Sequence, residues 1–126
     1  MLGEFGIGVT LPAADLERAR AWYEQKLGLI PVHEWAGGLR YRSGSSFFDI
    51  YPTSLAGTAK NTAAGWDVDD VARVVAELRS RGVEFQEYDF PGLKTVNGIA
   101  EMDGERAAWF VDSEGNILSI SQLTGA

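Results

Sequence analysis

Two helix signatures stand at nearly the same interval, and that repetition constrains the chain more than anything else in it. Asp15 and Asp70 each occupy an N-cap position, 55 residues apart (70 − 15). Each precedes an apolar stripe: Leu16, Ala19, Trp22, Tyr23 and Leu27 in the first, Val71, Val74, Val75 and Leu78 in the second. A short acidic side chain there accepts from the free N–H groups of the first helical turn, and the i, i+3, i+4 spacing makes one apolar face. Gly28 and Gly82, 54 residues apart (82 − 28), supply the stops. The near-match predicts an internal repeat of two β-α-β-β-β units. Trp22 and Tyr23, on the first stripe, are expected in the core.

Strands fill the rest by period-two alternation. Residues 5–11 place Ile7, Val9 and Leu11 on one face and Gly6, Gly8 and Thr10 on the other, with Pro12 ending the strand. Strands are expected at Leu29–Val32, Gly38–Arg42 and Ser46–Tyr51, and the last of these puts Phe48 and Ile50 opposite Phe47, Asp49 and Tyr51. Residues 54–61 read as a linker. In the second unit strands are expected at Ala63–Val68, Val83–Tyr88, Ile99–Met102 and Ala107–Val111. The closing run after Gly115-Asn116 sets Leu118 and Ile120 against Ile117, Ser119 and Ser121. Residues 89–98, with Pro91, Gly92 and Gly98, read as a loop, either a plain connection or a lid.

Composition narrows the possibilities. At 126 residues and 45% hydrophobic content the chain suits one domain. A net charge of −7 gives no attraction to nucleic acid or an anionic membrane surface. The absence of cysteine excludes disulfides and zinc–thiolate sites. No apolar run reaches transmembrane length and the N-terminus lacks a signal-peptide pattern, so a cytoplasmic protein is expected.

The segments ADLERARAWYEQKLGL, DVDDVARVVAELRSRGVEF and AAWFVDSEGNILSISQ resemble the vicinal oxygen chelate superfamily. That superfamily includes glyoxalase I, bleomycin-resistance proteins, fosfomycin-resistance enzymes and extradiol dioxygenases. The resemblance implies an α+β fold in which two βαβββ modules form a curled mixed sheet around a shared cavity, with the helices outside. Module one spans about 1–53 and module two about 62–126. It also implies four positions where relatives hold a divalent metal with His and Glu. Here those positions match Gly8, Asp49, Ala63 and Ser119, so one carboxylate remains. A catalytic metal commonly needs about three protein ligands. The expectation is therefore no metal and no cofactor. His33, the sole histidine, lies past the second expected strand and away from all four positions.

With Asp49 facing the cavity, Phe47 and Tyr51 share its side, as do Gly6, Gly8 and Thr10, Ala63, Gly65 and Asp67, and Ile117, Ser119 and Ser121. Trp35, Tyr41, Tyr88, Met102 and Trp109 are further candidates for the wall, although which of Trp109 and Phe110 faces it stays open. Trp66 alternates to the helix side. Aromatic walls with few polar groups suit a small organic ligand. The favoured expectation is metal-independent binding of a small, aromatic molecule, in the manner of a drug-sequestering resistance protein and with a homodimer implied by the resemblance. The alternative is a lyase or isomerase using Asp49 as base with Tyr51 as its acid partner. A third is an interaction module whose cavity is filled by its own side chains. The pair Asp69–Asp70 and the carboxylates Asp112 and Glu114 read as cap and turn residues, and Glu101 and Glu105 as solvated.

Overall fold

The computed structural model describes residues 1–124. After a short 3-10 turn at Leu2–Glu4, the first module runs β1 (Val9–Ala13), α1 (Leu16–Trp22), β2 (His33–Trp35), β3 (Gly38–Ser43) and β4 (Ser46–Pro52). The second runs β5 (Thr62–Asp67), α2 (Val71–Ser80), β6 (Asp89–Phe90), β7 (Leu93–Val96), β8 (Ile99–Met102), β9 (Glu105–Val111) and β10 (Ile117–Leu123). This is the expected α+β repeat, with the strands in two mixed sheets, neither closed. The four-stranded sheet has the order β1-β4-β3-β2 and the six-stranded sheet β5-β10-β9-β8-β7-β6. Each module's first strand pairs parallel with its last, and the remaining pairings are antiparallel.

Both helices start as the capping chemistry dictates. The Arg18 and Arg73 backbone N–H groups donate to the Asp15 and Asp70 carboxylates at 3.0 and 3.1 Å. Asp69 pairs with the Arg73 side chain. Past Trp22 the first helix widens into a π-helical turn, Tyr23–Leu27, before Gly28 ends it with φ +70°. Both helices and one face of each sheet share a single apolar core. Leu11, Tyr23, Leu39, Tyr41, Phe48 and Ile50 contribute from module one, Val71, Val75, Phe110, Leu118 and Ile120 from module two. Trp66 packs against it from β5, as its phase requires. Gly38 (φ +149°) is obligatory where it stands, because any Cβ would collide with the Ile50 carbonyl on β4.

Several expectations need correction. The first strand begins only at Val9 and runs through Pro12, which an edge strand tolerates because no sheet partner needs the missing N–H. The second strand is His33–Trp35, so Leu29–Val32 lies outside it and His33 is a strand residue. Residues 83–88 form one isolated bridge, Phe85 to Phe110, in place of a full strand. The expected loop at 89–98 is largely the β6–β7 hairpin, which extends the six-stranded sheet. Pro91 and Gly92 form the hairpin's tip, and the turn composition of the segment conceals the short pairing on either side.

The modules are joined by buried polar chemistry. The Tyr23 hydroxyl donates to Asp112 at 2.6 Å, and Asp112 also accepts from the Glu114 and Asn116 backbone N–H groups. Burial, then the neighbouring Asp112, holds that hydroxyl far above its ordinary pKa. Asn116 Nδ2 donates to the Pro12 carbonyl at 3.0 Å. Glu114, whose side chain is fully buried, accepts from Arg18 Nε (2.8 Å) and Nη2 (3.0 Å), the Asp15 N–H (2.9 Å) and the Ser113 hydroxyl (2.7 Å).

Candidate functional site

The faces turned away from the helices stand open. On the four-stranded sheet the alternation of β4 sets Phe48 (9% exposed) and Ile50 (1%) into the core, and Phe47 (49%) and Tyr51 (39%) out. Asp49 lies between those two rings on the open side. Register carries the pattern across the sheet: Thr10 and Arg40 flank Asp49, while Arg42 pairs with Phe47. On β2, His33 opposes Arg40 and Trp35 opposes Gly38.

Arg40, Asp49, Trp35 and His33 form one cluster. Arg40 donates from Nε and Nη2 to the two oxygens of Asp49, at 2.8 and 3.1 Å. Its guanidinium carbon also lies 5.8 Å from the Trp35 ring centre, and His33 stacks on Trp35 at 5.7 Å. The hydrogen bond to Asp49, then its charge, raises the Arg40 pKa further and keeps it cationic. Beside this pair is a hollow of about 220 Å³ lined by Gly8, Thr10, Arg40, Phe47 and Asp49, among others. Phe47 also borders a larger crevice of about 520 Å³ that runs between β1, the β3–β4 turn and β5, with Ile7, Val9 and Trp66 on its walls.

The expected site residues therefore fall into three groups. Phe47, Asp49, Tyr51 and Trp35 share the open face of the four-stranded sheet. Tyr88, Met102, Trp109 and Ser119 belong to the six-stranded sheet and its approach, and line neither hollow. There Trp109 takes the open face with Tyr88 edge-on at 5.6 Å, while Phe110 is buried, which resolves the choice between them. Tyr41 is misplaced by the sequence reading: it is fully buried and stacked on Phe48 at 4.9 Å. Its exposed neighbours Arg40 and Arg42 already carried the phase that excludes it from the open face. Burial pushes the Tyr41 hydroxyl up to about 12. Arg40 was not anticipated, since only the β3–β4 register brings it to Asp49.

Among the described residues, no three His, Cys, Asp or Glu side chains converge in a way that could hold a metal ion. Of the four matched positions, Gly8 and Asp49 meet in the smaller hollow, while Ala63 and Ser119 lie on the other sheet. Both Asp49 oxygens are engaged by Arg40, an arrangement suited to holding charge in place.

The fold and the matched segments define a superfamily. The chain belongs to the glyoxalase/bleomycin resistance protein/dioxygenase superfamily, whose sequence model matches residues 7–88. Among solved structures it is similar to a bleomycin resistance determinant encoded on a transposon, with 22% identity, TM-score 0.73, and 94% of this chain and 98% of that one covered. It is similar also to a bleomycin-binding protein complexed with bleomycin, at 23% identity and TM-score 0.71, covering 94% and 98%. A fosfomycin resistance protein from Listeria monocytogenes matches at 15% identity and TM-score 0.67, covering 97% and 93%. At these identities the likeness is one of fold. No curated protein sequence matches the chain.

Proposed function

We propose that the chain binds a small, aromatic organic molecule without a metal, on the open face of the four-stranded sheet. One observation carries this reading: Trp35, Phe47 and Tyr51 remain 39–49% exposed on one face, and Phe47 lines a hollow there beside Arg40 and Asp49. Three large rings left in water on the same sheet face, one of them bordering a hollow, suit recognition. The bleomycin-binding relative supports a binding role at the level of fold. A second copy of the chain completes the site with the opposite open face, bringing in Tyr88, Met102, Trp109 and Ser119. Such a homodimer would cover rings that one chain leaves in water.

The acid–base alternative has less support, because Asp49 is committed to Arg40 and a general base needs a free lone pair aimed at the substrate. The test is a screen of aromatic compounds by thermal shift and tryptophan fluorescence, with and without divalent metals, alongside elemental analysis and light scattering. Saturable binding to metal-free dimer is expected. One zinc, nickel, iron or manganese per chain after dialysis would refute the metal-free reading. A strict monomer that still binds would remove the second copy from the site.

A further inference from the structure

The charges on the open face of the four-stranded sheet differ in sign from the molecule as a whole. The chain carries −7, yet this face presents Arg40 and Arg42 against a single carboxylate, Asp49. Glu34, the other acidic residue of these strands, pairs with Arg20 of α1 at 2.7 Å and alternates to the opposite side of β2. Arg40 spends Nε and Nη2 on Asp49, and its Nη1 makes no hydrogen bond among the described residues. Arg42 is exposed and pairs with no carboxylate among the described residues. Its cross-strand partner is Phe47, so a free cation stands directly beside an exposed ring. A carboxylate that is already neutralised repels an anion little, while two guanidinium groups still offer donors in the fork geometry that suits carboxylate and phosphate oxygens.

We propose that this face selects a planar aromatic molecule bearing an acidic group, a carboxylate or a phosphate, with the ring on Phe47 at the edge of the smaller hollow and the acid held by Arg42 and the free side of Arg40. This rests on the binding reading above and adds the sign of the ligand's charge to it. Asp49 then acts as a positioning residue: it fixes the Arg40 fork against Trp35 and limits how much positive charge the face presents. Removing its charge while keeping its shape should strengthen the anion's binding.

Three probes with one ring system separate the terms: naphthoate, naphthylmethanol and naphthylmethylammonium, titrated calorimetrically into the full chain at low salt. Naphthoate should bind about tenfold more tightly than the alcohol, and the ammonium most weakly. Arg42→Gln should erase most of the naphthoate advantage and leave the alcohol unchanged, with Arg42→Lys restoring part of it. Asp49→Asn should raise naphthoate affinity by several-fold. Circular dichroism confirms that each variant is folded, and raising the salt should narrow the gap between acid and alcohol. Equal binding of acid and alcohol, or preference for the ammonium, overturns the charge assignment and leaves the aromatic site standing. Failure of all three probes at millimolar concentration overturns both.

Discussion

Arg18–Glu114 and Arg40–Asp49 are nearly the same object drawn twice. In each, Nε and Nη2 of one guanidinium meet one carboxylate, at 2.8 and 3.0 Å in the first and 2.8 and 3.1 Å in the second. Their surroundings separate them. The Glu114 carboxylate is wholly buried and collects two further donors, the Asp15 N–H and the Ser113 hydroxyl, while joining segments 96 positions apart. Asp49 has one partner, nine positions away on the adjacent strand, and its side chain keeps 21% of its surface. A buried carboxylate with every lone pair engaged is costly to strip of its donors, although the Arg18 side chain itself is 54% exposed, whereas an exposed pair contributes little to stability. The first is positioned to hold the modules together and the second is available for recognition.

The largest effect should come from the shared core. Phe48→Ala removes a buried ring and should cost roughly 3–5 kcal/mol in denaturant unfolding. Its neighbour Tyr51→Ala should cost little stability but weaken binding of an aromatic ligand by roughly 1–3 kcal/mol. The opposite outcome would mean that β4 is read in the wrong phase. Next comes Glu114→Ala, which strands the Arg18, Asp15 and Ser113 donors and should cost about 3 kcal/mol.

A smaller change, Glu114→Gln, reads the same group through pH. Burial pushes this carboxyl up, but the bonds from Arg18, the Asp15 N–H and Ser113 outweigh burial and bring its pKa to about 2, below the ordinary 4.5. A depressed folded pKa means that the stabilisation is complete above about pH 4.5 and is lost as pH falls toward about 2. The wild-type stability should therefore drop through that window, and the glutamine variant should show a shallower acid limb. If the two curves run parallel, Glu114 is not the group that senses acid. Asp49→Asn comes last: exposed pairs of its kind are worth about 0–1 kcal/mol, so its unfolding midpoint should barely move. A loss comparable to that of Glu114→Ala would erase the distinction between the pairs.

What the sequence disclosed follows from the range of each interaction. Capping by Asp15 and Asp70 and the alternation of Phe47 to Tyr51 are local, and both were legible. Tyr41 is buried and not on the open face, and its flanking arginines carry that phase in the sequence, since alternation along a strand overrides aromatic character. Arg40 stayed hidden because its partner lies across a hairpin whose register only the fold fixes. Asp112 and Glu114 read as ordinary turn carboxylates, since nothing within a few residues announces partners in module one. The β6–β7 hairpin was obscured by its brevity: its first strand is two residues long.

Asn116 has one further consequence, which concerns crowding. Strand β1 ends the four-stranded sheet, and an edge strand is a template on which another chain can add. At Pro12 that template is defective, since proline has no N–H to offer and its carbonyl is already taken by Asn116. N–H and C=O of one strand residue point the same way, so the free rim of β1 is closed at this point. The side chain that ties the last turn to the first strand thus also guards the sheet against growing outward. In Asn116→Ala, a freed carbonyl at the rim should show itself as faster self-association on prolonged warm incubation, well below the unfolding midpoint.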